Sequence, residues 1–264
     1  LFSGQYLVEE ILQRNDLELS FVWNRTLEVI RGKVEDRYIL ETLSSFAERA
    51  PDLIVEVAHP SITVDYGEVF LDVADYMIGS PTALANLDVE NKLRQKASNG
   101  THGIYIPSGA LWGGNDIKKM ADRKTLKGLK VTMKKHPSCY KLNEPLKAKN
   151  AQVHSEPVVL YDGPIRELCS LAPNNVNTMA AAALAAHNLG FDKAQGCIVA
   201  DPGLNAHIVE VDVSGPGEEQ NQFTVKTVRH NPAKSGAITG SATYASFLSS
   251  MLGAHSQGPG VHLC

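Results

Sequence analysis

Two rhythms in the sequence predict its fold. Through the first 110 residues, short apolar strands alternate with helices of about ten residues, as in right-handed βαβ units of a doubly wound sheet. Beyond residue 110 the strands lengthen and cluster, as in a domain with a partly antiparallel sheet. The fold class expected is therefore α/β: a Rossmann-like doubly wound sheet with its first strand missing, followed by an α+β domain with a mixed sheet. A chain of 264 residues, 43% apolar and 20% charged, is long enough for two such domains whose cores need no disulfide staples.

Leu7, Val8, Ile11 and Leu12 make an apolar stripe at helical spacing, and 18–23 follows as a short strand ending at Asn24 and Arg25. Residues 40–50 read as a helix. The almost continuous apolar run 52–58, bounded by Pro51 and Pro60, suits a strand buried on both faces, as parallel strands are. A helix at 64–73, a strand at 75–79, a helix at 83–97 and a strand at 103–107 complete the first half. Strands are expected next at 129–133, 158–161, 196–200, 207–213 and 223–228. The accompanying helices fall at 177–189, closed by Gly190, and at 237–252, the latter packing back on the first domain. This divides the chain into a dinucleotide-binding domain at 1–110, incomplete at its N-terminus, an α+β catalytic and substrate domain at 111–255, and a tail at 256–264. The tail carries Gly258-Pro-Gly260 and is expected to be poorly ordered.

Composition excludes several classes of function. Twenty-five basic against twenty-nine acidic residues give a net charge of −4, with no like-charge block to follow a phosphate backbone, so nucleic acid is not an expected partner. The sequence has no apolar run of about 18 residues and no signal-peptide start, which points away from the membrane and towards a cytoplasmic protein. Cys139, Cys169, Cys197 and Cys264 match neither a CxxC metal site nor a dense disulfide framework. No HxxxH or HExxH spacing occurs, so no metal site is expected. The stretch 236–240 lacks the central serine of a nucleophile elbow, leaving covalent hydrolysis unsupported. The first residue is Leu and the first methionine is Met77, so an upstream segment is expected.

Three places carry chemistry. Gly4 stands where the third glycine of a dinucleotide turn opens a helix; alone it reads more readily as a helix cap, and the βα alternation downstream raises the functional reading. Asn24 and Arg25, at the end of the second strand, lack the carboxylate that holds the ribose of NAD. NADP is compatible with them, NAD is not excluded, and a plain turn is the alternative. Asn174, Asn175 and Asn177 precede a helix made of small residues, where their amides can cap the helix or face a ligand. His207 opens a strand after the 201–206 loop, a position where a histidine is more often structural than catalytic.

Several segments, in order, carry a family likeness: Phe21-Val-Trp-Asn-Arg25, Val55-Glu-Val-Ala-His-Pro60, Gly79-Ser-Pro-Thr-Ala-Leu84, Ser108-Gly-Ala-Leu-Trp112, Ala172-Pro-Asn-Asn-Val-Asn-Thr-Met-Ala-Ala-Ala182, Val199-Ala-Asp201 and Gly236-Ala-Ile-Thr-Gly-Ser-Ala-Thr243, with His-Leu-Cys264 at the end. With them the whole chain resembles the aspartate dehydrogenase family, its animal members in particular. The resemblance implies an NAD(P)-dependent oxidoreductase that interconverts L-aspartate with iminoaspartate, and so with oxaloacetate and ammonia, using NADP or NAD. It makes His207 the catalytic acid/base and puts Ala110 and Asn177 on the nicotinamide side. Gly4, Asn24, Arg25 and Ala58 complete the implied cofactor contacts. Lys135, His136, Arg166 and Lys234 are unranked candidates for the substrate carboxylates. The partners are then small molecules, with a homodimer through the second-domain sheet as a further expectation. Two alternatives stay open: a dehydrogenase of another amino or 2-oxo acid, and a non-catalytic dinucleotide-binding protein. The family opens with a strand and a Gly-x-Gly-x-x-Gly turn that this chain lacks, which implies an upstream segment or weakened dinucleotide binding, with a gap or collapsed pyrophosphate site near Gly4.

Overall fold

A computed structural model describes residues 2–233, 236–237 and 242–264. After α1 (Phe2–Leu12) the chain reaches its first strand, β1 (Leu53–Glu56), through two 3₁₀ turns and a longer 3₁₀ run. α2 (Pro60–Phe70) is started by His59, whose ring accepts from the Ser61 N–H, and by Pro60 in the first turn, where a missing N–H costs nothing. β2 (Asp75–Ile78), α3 (Leu87–Asn99) and β3 (Gly103–Ile106) follow. α4 (Gly114–Asp122) leads into the second sheet, made with β4 (Gly128–Lys135), α5 (Leu146–Ala151), β5 (Val158–Pro164), α6 (Ile165–Leu171), α7 (Asn177–Ala185), α8 (Gly190–Lys193), β6 (Gln195–Ala200), β7 (Ala206–Ser214) and β8 (Thr224–Pro232). α9 (Ala242–Gly253) and β9 (Gly260–Leu263) return to the first sheet.

That first sheet is wholly parallel, in the order β1-β2-β3-β9. Alternate side chains serve its two faces. Tyr76, Ile78, Ile104 and Ile106 pack with Phe70 and Leu93 under α2 and α3, whereas Met77 and Tyr105 pack with Leu7, Phe247 and Met251 under α1 and α9. Helices on both faces of a parallel sheet make the doubly wound, Rossmann-like arrangement. The second sheet is mixed, in the order β5-β6-β4-β7-β8, with β4 parallel to β6 and antiparallel to β7. Its core face is covered by α6 and α7. A Cβ on Gly196 of β6 would stand 2.9 Å from Leu168 and 3.0 Å from Met179, so this glycine lets both helices close on the sheet. Every residue of α7 from Met179 to Ala185 is buried, because the small side chains let the helix lie between that sheet, α4 and the 3₁₀ turn Pro81–Ala85.

Five expectations need correction. Segment 18–23 joins no sheet; only Val22 forms a bridge, to Ile39, because a strand needs a continuous ladder for its N–H and C=O groups and the described residues offer none beside it. The 40–50 helix is a 3₁₀ run, Leu43–Arg49, stopped by Ala50 at φ 44°. The 83–97 helix breaks in two, since Asn86 Oδ1 accepts from the Asp88 and Val89 N–H groups and starts α3 afresh. The 256–264 tail is β9 and its flanks, not a loose end. It pairs along β3, and the Cys264 N–H donates to Ile106, because the β3 edge would otherwise carry unpaired polar groups inside the protein. The 177–189 helix also ends early, at Ala185, while Gly190 at φ 62° returns its N–H to Ala186.

A candidate active site where the two sheets meet

Loops follow the carboxyl ends of β1, β2 and β3, the usual place for a ligand in an open α/β sheet, and those after β2 and β3 are hydrogen-bonded to the second half of the chain. Glu56, buried at the end of β1, ties two of these loops together. Its carboxylate accepts from the Ala58 N–H (2.6 Å), the Ser80 N–H (2.8 Å) and the Ser80 hydroxyl (3.2 Å). Burial raises its pKa in spite of those donors. Next to it, Thr82 donates to the Pro173 carbonyl, joining the first sheet to the loop before α7. On the other side, the Gly109 carbonyl accepts from Arg229 of β8 (3.3 Å) and from Ser246 of α9 (2.9 Å), which pins the turn holding Ala110.

Beside that turn lies a cleft of about 660 Å³ lined by Gly109, Leu111, Trp112, Thr227, Val228, Arg229, His230 and Ser246. Trp112 is 65% exposed at its mouth. Arg229 also donates through Nε to Asn231 Oδ1, and Asn231 stands opposite His207 in the β7–β8 ladder. His207 is 5% exposed, with Nε2 buried and without a hydrogen-bond partner. Burial and the nearby Lys135 ammonium lower its pKa to about 4, against a smaller opposite pull from the Ala237 backbone, so the ring is neutral at pH 7. Asn177 opens α7, and its Oδ1 is likewise buried without a partner. Asn175 fastens this region to the loop after β4, accepting from the Lys141 N–H (2.8 Å) and donating to the Cys139 carbonyl (3.3 Å). Asn175 thus ties the loop before α7 to the loop after β4, and the Ala110 turn is tied to the β7–β8 ladder through Arg229 and Asn231.

The remaining sequence candidates are placed as follows. Gly4 lies in the first turns of α1 against the loop after β1, where an added Cβ would be 3.4 Å from Val57. Ala58 is exposed at the tip of that loop, its N–H already taken by Glu56. Asn24 accepts from the Thr26 N–H in a local turn, and Arg25 is exposed. Arg166 is bound elsewhere, to Asp192 through two hydrogen bonds and to the Ala85 carbonyl, with Glu90 at 3.8 Å. That engagement argues against its holding a substrate carboxylate. His136 Nδ1 accepts from the Ser138 N–H as a helix cap. Lys234 lies outside the described residues. Sequence reasoning overlooked Arg229, Asn231 and Glu56. Of these, only Glu56, a lone carboxylate in an apolar run, left a signal in one dimension.

Comparisons with known proteins agree with this architecture. Residues 116–250 match the family model described as aspartate dehydrogenase, C-terminal, and residues 4–107 match one described as homoserine dehydrogenase, NAD binding domain. The chain is 51% identical to the aspartate dehydrogenase domain-containing protein of Xenopus tropicalis, over 99% of this chain and 94% of that protein. It is 31% identical to the L-aspartate dehydrogenase of Methanococcoides burtonii, over 71% of this chain and 68% of that protein. Among solved structures, an aspartate dehydrogenase from Thermotoga maritima matches with a TM-score of 0.68 at 19% identity, covering 93% of this chain and 89% of that one. An amine dehydrogenase from Mycobacterium smegmatis matches with a TM-score of 0.56 at 10% identity, over 98% and 91%. At such identities these two likenesses concern the fold.

Proposed function

The chain belongs to the aspartate dehydrogenase family, and from that premise we propose that it is an NAD(P)-dependent oxidoreductase interconverting L-aspartate with iminoaspartate, and so with oxaloacetate and ammonia. The observation that carries the reading is that Asn177 Oδ1 and His207 Nε2 are, with Asn150 Oδ1 and Thr227 Oγ1, the buried side-chain atoms without partners among the described residues, since natural structures seldom bury a polar atom unless a ligand or water completes it. These residues fit a nicotinamide. Asn177 Oδ1 is an acceptor suited to a carboxamide NH₂, and Ala110, in a turn pinned at both sides, presents a small face to a flat ring. Gly4 and the start of α1, close against Val57, suit the approach of a phosphate to backbone N–H groups.

When bound, the nicotinamide exchanges a hydride with C2 of the amino acid. The protein handles the protons. With its ring neutral at pH 7 and the Ala237 carbonyl favouring a proton on the other nitrogen, His207 offers its Nε2 lone pair. That atom takes a proton from the water that adds to the imine carbon of the substrate and returns it to the nitrogen that leaves as ammonia. Asn177 and the Ala110 turn fix the geometry in which these groups meet, which is where proximity supplies rate.

The test is oxidation of NADPH or NADH by the purified protein given oxaloacetate and ammonia. His207→Gln should lower kcat by about 10²–10⁴ with NADPH binding unchanged. No oxidation under any combination rejects the reaction, and a variant keeping most of its activity rejects the role of His207.

A further inference from the structure

We infer that the Lys135 ammonium binds one carboxylate of the substrate and holds it against the His207 imidazole. The inference rests on the reaction proposed above and names the group that recognises a dicarboxylate.

The placement follows from strand register. In the β4–β7 ladder, Lys134 faces Ile208, so the next position in each strand sets Lys135 opposite His207. On its other side His207 faces Asn231 of β8. One row thus crosses three strands on the core face, and Lys135, His207 and Asn231 are all 4–5% exposed. Directly opposed side chains in an antiparallel pair have Cβ atoms about 5 Å apart, close enough for one carboxylate to touch both. The Lys135 Nζ lies 5.7 Å from the ring centroid of Tyr140, whose hydroxyl is 3.0 Å from the Met133 and Val199 carbonyls.

Charge points the same way. Burial lowers the Lys135 pKa to about 8, which leaves it mainly protonated at pH 7, and that charge helps depress His207. Other titratable groups tied to this row are Cys139 and Tyr140, which lie near Lys135, Asp201, whose N–H donates to the Lys135 carbonyl, and Arg229, which donates to Asn231 Oδ1. Two basic groups brought side by side out of water raise each other's cost, and a bound carboxylate relieves both. Docking of a carboxylate then raises the depressed His207 pKa, so that the acid and base forms of His207 are both accessible during turnover.

The probe is succinate, a dicarboxylate with no amino group to oxidise, added to the full chain with NADPH and 15N-labelled histidine. The His207 signal is assigned by its loss in His207→Gln. Succinate should raise the His207 pKa by about one unit or more. Lys135→Met should weaken succinate binding at least about tenfold, Lys135→Arg should restore much of it, and NADPH affinity should move by less than about twofold in either. An absent shift in the wild-type protein, or equal succinate affinity in Lys135→Met, overturns the assignment. The wild-type measurement needs no variant to fold. Turnover intact without a succinate effect would reject this anion site alone. A succinate effect lost in Lys135→Met, in a protein that never oxidises NADPH, would keep the site and reject the reaction.

Discussion

Replacing Lys135 with Met should make the protein more stable at pH 7 and remove a specific piece of its alkaline behaviour. Lys135 is buried, and its pKa falls from 10.5 to about 8 for lack of solvation. Between those two pH values the unfolded chain binds the proton and the folded chain does not, so stability from this group rises with pH across that window. The gap, at about 1.36 kcal/mol per pH unit, amounts to about 3 kcal/mol at most, which is the cost of keeping the ammonium in the fold at pH 7. Methionine of similar length carries no such cost, and the variant's Tm at pH 7 should rise by about 5 °C. Other groups act in the opposite sense. Burial pushes the thiols of Cys169 and Cys264 up to about 12, so the unfolded chain loses those protons first and stability falls above about pH 9. The informative quantity is therefore the difference between wild type and Lys135→Met in urea melts from pH 7 to pH 10. It should favour the variant at pH 7 and shrink steadily as pH rises. A difference that stays flat across that range refutes the argument that Lys135 is a desolvated ammonium.

Other outcomes follow from the same structure. Below neutrality the sign at His207 is fixed by a folded pKa of about 4 against about 6.5 unfolded, so stability from this ring is present above pH 6.5 and lost as pH falls to 4; wild type should lose up to about 3 kcal/mol more than His207→Gln over that range in urea melts. Gly79→Ala would put a methyl 2.1 Å from the Glu56 carbonyl oxygen and about 3 Å from the Phe247 ring, and should cost more than about 3 kcal/mol or yield insoluble protein. Asn175→Ala removes the partners of the Lys141 N–H and the Cys139 carbonyl, and should cost about 2–4 kcal/mol by denaturant titration while weakening NADPH binding through Asn177. Ending the chain at residue 255 strips β9 from β3 and should lower Tm sharply; an unchanged Tm would show the strand to be dispensable.

Much of the architecture was legible in one dimension. The runs 52–58, 75–79 and 103–107 became β1, β2 and β3 because continuous apolar stretches between Pro, Gly and Asp have few other stable uses. The five strands expected after residue 110 were all found, with β8 extended to Pro232. The 18–23 segment failed because its apolar pattern carries no information about whether a partner lies beside it. The 256–264 segment failed in reverse: its glycines and proline suggest looseness, and the waiting edge of β3 outweighs them. The short helices α4, α5, α6 and α8 were missed, each being too brief for a hydrophobic period to stand out.

The amino-acid order by itself determined the alternation of strands and helices, the charge balance, and the residue types that proton transfer and amide recognition require, because local propensity and periodicity act over a few residues. Only the tertiary structure decided that Lys135, His207 and Asn231 share one buried row, that Arg229 locks the Ala110 turn, and that Arg166 is consumed by Asp192. Those pairings join positions up to 120 residues apart. They arise from strand register and from the desolvation of charges once the two sheets close, and neither quantity exists in the chain until it folds.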